Sequence, residues 1–120
     1  MPAHKFKIEI EQGATYSKSL VWKTGTPKNA VPVDLTGCKA RLQIRSDIDD
    51  DAVLLELTTE NNRIVLGGVT GEIRIVIDAV TTAAIRWTDG VYDLEIEFSD
   101  GTVVRRMAGS VAVSKEVTRD

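Results

Sequence analysis

The sequence predicts a single all-β domain, an antiparallel sandwich of about eight strands with one short helical crossover. Apolar and polar residues alternate at period two along most of the chain, which buries one face of each strand and leaves the other in water. Turn-forming residues recur at intervals of roughly eight to twelve residues, the spacing typical of sandwiches and small barrels. The acidic run at 47–51 interrupts this alternation, and the segment that follows Asp78 breaks it.

The strands follow from the alternation and from the turn residues between them. Gly13 ends the first strand, and Asp100-Gly101 is a hairpin signal between the last two. Pro32 makes its segment an extended connection, because proline cannot donate to the ladder of a central strand. Trp22 ends the second strand and is expected in the core. The predicted strands span residues 5–11, 15–23, 38–46, 53–58, 63–66, 72–77, 91–99 and 103–114.

The break in the alternation is predicted to be the helical crossover. Asp78 is a good N-cap residue, and the alanines after it favour about two helical turns that direct Val80, Ala84 and Trp87 inward. Tyr92 follows near the start of the penultimate strand, where it resembles the tyrosine corner of Greek-key sandwiches. These features favour an immunoglobulin-like sandwich over a closed barrel.

Composition limits the class of protein. The 120 residues suffice for one domain, residues 1–120, of which we expect 1–4 and 115–120 to be loose termini. A net charge of −3 with mixed signs argues against nucleic-acid binding. No apolar run approaches the roughly 20 residues that span a bilayer, so no membrane partner is expected. The first residues lack the apolar stretch of an export signal, so we expect synthesis in the cytoplasm.

Candidate catalytic and metal-binding side chains are sparse. The acidic run at 47–51 lacks the central glycine and distal glutamate of a calcium loop, and we interpret it as a solvated loop that prevents edge-to-edge pairing. His4 is the one histidine and Cys38 the one cysteine, so no cysteine-based zinc site and no intrachain disulfide can form. We expect no catalytic residue, no cofactor and no metal site, and hence no enzyme.

Partner contact is the remaining possibility that the residues suggest. Trp87 lies in the corner segment beside Arg86, where a partly exposed aromatic side chain is typical of an interface. These two residues are the candidate contacts. The edge strands of a sandwich are the other candidates, because assembly proteins use unpaired strand edges to accept a strand from a neighbour.

Several stretches together resemble a known group of proteins. They are Gln12 to Tyr16, Val21 to Lys23, Val33 to Arg45, Leu55 to Asn61, Val91 to Glu95, and Gly109 to Val111 with Glu116 to Arg119. In this order they resemble small tail-associated structural proteins of bacteriophages and prophages, and they are similar to the N-terminal domain of phage upper-baseplate proteins. The resemblance covers nearly the whole chain, and its motifs are turns and core positions.

The resemblance implies a non-enzymatic virion component. Such a protein connects or decorates parts of the tail, baseplate or fibre-attachment region, binds other phage structural proteins, and assembles as a symmetric homo-oligomer. Two alternatives remain open: a capsid decoration protein on the phage head, and a carbohydrate-binding module for host recognition. The second would need aromatic side chains along an exposed face, and the chain has six aromatic residues in all.

Overall fold

Strands make up about half of the protein. The computed structural model describes residues 3–119, with 49% of the chain in strands and 7% helical, which confirms the all-β class. The strands are β1 (His4–Lys5), β2 (Ile8–Glu11), β3 (Tyr16–Val21), β4 (Lys23–Thr24), β5 (Val31–Pro32), β6 (Lys39–Arg45), β7 (Leu55–Thr58), β8 (Ile64–Leu66), β9 (Glu72–Ile77), β10 (Asp89–Glu97) and β11 (Val103–Ser114). A 3-10 turn spans Gly68–Thr70, and helix α1 spans Ala79–Ala83.

The strands form two main sheets. Sheet A has the order β1-β11-β10-β6-β7, and β2 also pairs with β11; sheet B has the order β3-β9-β8. Strands β4 and β5 form a separate ribbon, in which Pro32 pairs with Lys23. Every pair is antiparallel except those of β1 and β2, which lie parallel to β11. The first and last strands of the described chain are therefore neighbours.

One hydrophobic cluster lies between the two sheets. Alternate residues of β6 and β10 are buried, and their neighbours are more exposed, as the sequence pattern predicts. Each large aliphatic side chain buried here contributes about 1.5–3 kcal/mol. The largest fully buried side chains are Ile8, Ile10, Leu35, Leu42, Ile44, Leu57, Ile64, Ile73, Ile75, Ile77, Leu94 and Ile96.

The helical crossover differs from its prediction. Helix α1 has five residues, and the Asp78 carboxylate accepts a hydrogen bond from the Thr81 amide at 2.8 Å. Val80 is 81% exposed, so its predicted inward position is wrong, and Ala84 is exposed too. Thr82 is buried instead, because its hydroxyl accepts from the Gly13 amide and donates to a backbone carbonyl of the same turn. Within residues 3–119 no helix is long and apolar enough to cross a membrane.

The predicted strands are present with outer ends shifted by at most two residues, but 5–11 is divided into β1 and β2, and 15–23 into β3 and β4. Trp22 lies at the margin of the core rather than inside it: the ring is half-buried, with its centroid 5.9 Å from that of Phe98. Within the segments expected to be loose, His4 pairs with Met107, and the Glu116 amide donates to the side chain of Gln12. Residues 1, 2 and 120 of those segments lie outside the described residues.

The Tyr92 hydroxyl adds a side-chain hydrogen bond to the backbone pairing between the first strand and the rest of sheet A. The Tyr92 hydroxyl donates to the Phe6 carbonyl at 2.6 Å, a partner 86 positions away rather than the nearby backbone of a tyrosine corner. The Phe6 amide donates to the Ala108 carbonyl, and a Cβ atom at Gly109 would lie 2.4 Å from the Phe6 oxygen. Burial raises the pKa of Tyr92, so its hydroxyl stays a neutral donor. Glycine at 109 therefore allows the close approach that this bond requires.

Replacing Tyr92 with phenylalanine should lower the free energy of unfolding by about 1 kcal/mol, because a buried hydrogen bond to the backbone is lost. Urea unfolding measures the change, and hydrogen exchange at the Phe6 amide shows whether β1 loosens. Tyr16→Phe is the matched control, since the Tyr16 ring is also half-buried and its hydroxyl has no hydrogen-bond partner within residues 3–119. Equal losses in the two variants would contradict this account.

Candidate protein-interaction surfaces

The corner after α1 separates the two residues singled out as partner contacts. Arg86 is exposed, and its Nη1 donates to the carbonyls of Ala83 and Ile85 at 2.9 and 3.1 Å. The guanidinium therefore caps the end of the helix. Trp87 is half-buried and packs against the core. The structure thus places the arginine on the surface and the tryptophan beneath it, and a contact of either residue with a partner stays a prediction.

Arg86 lines a polar groove of about 740 Å³. Lys115 and Arg119 add positive charge to this groove, and Glu116 adds a carboxylate. The floor is fixed by Gln12, whose side chain donates to the Ile85 carbonyl and accepts from the Glu116 amide. The groove is an open, mixed-charge surface.

The acidic run at 47–51 is organised by hydrogen bonds to its own loop. The Asp50 carboxylate accepts from the Ser46 hydroxyl and the Ala52 amide, and the Asp50 carbonyl accepts from Arg45. The Ser46 hydrogen bond is the main reason that the pKa of Asp50 is lowered. Within residues 3–119 no group of three or more metal-ligating side chains is present. The carboxylates here act as turn acceptors.

Calcium at millimolar concentration should raise the thermal unfolding midpoint no more than the same concentration of magnesium does. The reason is that the Asp50 oxygens are engaged by Ser46 and Ala52 and do not converge with those of the neighbouring acids on one point. Differential scanning fluorimetry with each cation, after treatment with a chelator, measures this. A calcium-specific rise would mean that the loop rearranges into a site.

The single histidine and the single cysteine lie on different elements. His4 is in β1 at the end of the described chain, and Cys38 precedes β6. Burial is the main reason that the pKa of the Cys38 thiol is raised, and Asp34 and Asp100 add to the effect. The thiolate, which is the nucleophilic form, is therefore disfavoured.

The edge of sheet A at β7 is covered by side chains. In this register the backbone groups of Glu56 and Thr58 point away from β6. Asn61 accepts a hydrogen bond from the Thr58 amide and donates one to the Glu56 carbonyl, which also accepts from Arg63. The Thr58 amide and the Glu56 carbonyl are already bonded and cannot pair with a neighbouring strand, so side chains close this part of the β7 edge.

The edge of sheet B at β3 is open. The Trp22 amide, just after β3, donates to the Gly71 carbonyl, just before β9, so the Trp22 amide points toward β9. Backbone groups alternate in direction along a strand, and the amides and carbonyls of Ser17, Ser19 and Val21 therefore point away from β9. Within residues 3–119 no strand or side chain bonds to these groups. β3 has six residues, whereas the other edge strands have two to four. It is the longest exposed edge in the described part of the chain.

A slot of about 320 Å³ lies beside this edge, between β3 and the paired strands β1 and β11. Its lining includes the apolar side chains of Phe6, Leu20 and Met107. Lys18 and Arg106 bring positive charge into it, and no acidic residue lines it. We refer to this cavity as the β3 slot.

Arg106 reaches the β3 slot through a β-bulge in β11. Leu94 pairs with Met107 and Glu95 pairs with Arg105, so Arg106 has no partner in β10. The sequence carries a signal of this bulge, because the inward residues Val104 and Met107 are three positions apart rather than two. Alternation does not predict the position of Lys18, because a lysine on the inward side of a strand breaks the expected pattern.

No protein-family model and no curated protein matches this chain.

Replacing Asn61 with alanine should open the β7 edge. The Thr58 amide and the Glu56 carbonyl lose a partner each, so we expect the Thr58 amide to exchange faster and the free energy of unfolding to fall by about 1 kcal/mol. Hydrogen exchange by NMR and urea unfolding measure the two effects. Glu60→Ala, in the same turn, is the control because Glu60 bonds to Thr59 and not to β7. Unchanged exchange at Thr58 would show that the edge is covered in another way.

Proposed function

We propose that this protein is a non-enzymatic structural component of a bacteriophage virion. In this proposal it connects or decorates parts of the tail, the baseplate or the fibre-attachment region through protein–protein contacts. It is made in the host cytoplasm, binds other phage structural proteins, and forms a homo-oligomer in the particle. The proposal rests on the resemblance of the sequence and on one structural observation, the open edge of β3.

The open edge carries the proposal because a six-residue strand with unbonded backbone groups is a liability in an isolated domain. The same chain covers the edge of β7 with Asn61 and Arg63. The β7 edge is therefore capped by side chains while the longest edge strand is left accessible, which is an arrangement expected of a domain that receives a neighbour at that strand. A protein that joins others in a particle requires such a surface.

We further propose that the domain is an immunoglobulin-like sandwich. In that class the last strand pairs with the penultimate one in one sheet, and the second strand pairs with the fifth in the other. The sheet orders β11-β10-β6-β7 and β3-β9-β8 agree with this separation, with β3 and β9 in the places of the second and fifth strands. The first strand lies on the sheet of the last strand. This placement leaves β3 as the outer strand of its sheet, and so supports the connector role.

Immunogold labelling of purified particles tests the function. Antibody to this chain is applied to particles of the phage or induced prophage that encodes it, and particles from a strain with the gene deleted are the control. Gold at the tail, tail tip or neck is the expected result. Gold distributed over the head would replace the connector role with capsid decoration. Protein found only in the lysate, with unlabelled particles, would overturn the assignment to the virion.

A further inference from the structure

We propose that β3 and the β3 slot together form a binding site for an extended segment of another protein, which adds to sheet B as a strand and directs an acidic side chain into the slot. The inference deepens the proposed connector function and rests on it for the view that the natural occupant is a protein.

The backbone of β3 supplies the first half of the site. Ser17, Ser19 and Val21 present amides and carbonyls toward solvent in a regular strand, the pattern that an added strand requires. The three side chains are exposed and small enough to let another backbone approach. Six residues of strand are roughly 20 Å long, which matches an added segment of six or seven residues.

The slot supplies the second half of the site, because Lys18 and Arg106 line it and no acidic residue does. The Lys18 Nζ lies 4.7 Å from the centre of the Phe6 ring, and the Arg106 guanidinium lies 5.2 Å from that of Trp22. Neither cation is among the ion pairs of the described residues, which use Lys7, Arg41 and Arg105. An inward acidic side chain on the added strand would meet both cations.

Arg106 gives the slot an unmet hydrogen bond. Its Nε–H is buried and has no hydrogen-bond partner within residues 3–119. Burial also lowers the pKa of the guanidinium, so the surroundings already oppose its charge. A buried donor on a charged group is costly to leave unsatisfied, and a carboxylate is its strongest acceptor. Because Arg106 lines the slot, an anionic group on the occupant would offset the unfavourable surroundings of its guanidinium charge.

Charge also argues against a second copy of this chain at the same edge. Pairing of β3 with β3 about a two-fold axis would bring two sets of Lys18 and Arg106 toward one interface without an acidic residue from either slot. Like charges at close range oppose association. A segment with alternating small or apolar residues and one acidic residue satisfies both the backbone and the cations.

The first measurement uses a fluorescein-labelled peptide, Thr-Val-Thr-Glu-Thr-Val-Thr with a blocked carboxyl end, and the full-length protein. Fluorescence anisotropy should show saturable binding that weakens as salt is raised. The same peptide with lysine in place of glutamate should bind at least about tenfold more weakly, the low end for a hydrogen bond to a charged group. Hydrogen exchange should slow at Ser17, Ser19 and Val21, while the Thr58 amide of the closed edge serves as the internal control.

Two substitutions separate the backbone from the charge. Ser19→Pro removes an amide that points to solvent and leaves the ladder with β9 intact, so the protein should stay folded and lose peptide binding; Ser19→Thr keeps the amide and should retain it. Arg106→Gln should weaken binding of the glutamate peptide about tenfold and that of a glutamine peptide much less. The double-mutant cycle assigns the difference to this pair.

Each contrary outcome overturns the inference. These outcomes are no binding by the native protein, equal binding by Ser19→Pro, or equal binding of the lysine and glutamate peptides. A native dimer in analytical ultracentrifugation that Ser19→Pro dissociates would assign the edge to a second copy instead. The peptide result and the particle labelling are independent, so failure of this site is distinguishable from failure of the virion assignment.

Discussion

The hydroxyl of Tyr92 reinforces the backbone pairing that holds the first strand of the described chain against the last, and the accessible surface of the domain depends on that pairing. The acceptor of the hydroxyl, the Phe6 carbonyl, lies over Gly109, where a larger residue would push the strands apart. Because β1 and β2 are fixed on β11, they are not available to cover sheet B. The strand β3 keeps a free edge as a direct result, and the β3 slot lies between the two.

The core differs in construction from the contact of β1, β2 and β11 with the β3 edge, which we call the seam. The core is aliphatic and regular, since alternate residues of long antiparallel strands meet across the two sheets. The seam is irregular: β1 and β2 are interrupted at Phe6 and Lys7, β11 contains a bulge, and Lys18 lies on the inward side of β3. The buried core of the described residues holds no charged side chain, whereas the cations Lys18 and Arg106 turn inward at the irregular contact.

The predictable parts of the structure are those that depend on local pattern. Alternation identified the strands and the Asp100-Gly101 hairpin, because side-chain period and turn chemistry are read from adjacent residues. The parallel pairing of the first strand was not predicted, since nothing local specifies a partner about a hundred positions away. Val80 was misplaced because a helix of five residues is too short for its apolar spacing to decide which side is buried. The β3 slot could not be predicted from the sequence, because it depends on both the bulge in β11 and the pairing of β1 with β11.

The parallel arrangement of the first and last strands has a mechanical consequence. Tension applied to the chain before β1 and after β11 would act along these strands, while their hydrogen bonds, among them those from the Phe6 and Gln12 amides, cross between them. The bonds are then loaded in shear and share the force, instead of opening one after another as in a peeled hairpin. A domain with this connectivity resists extension along the line through its two ends, and its resistance is set by a few backbone bonds rather than by the size of its core.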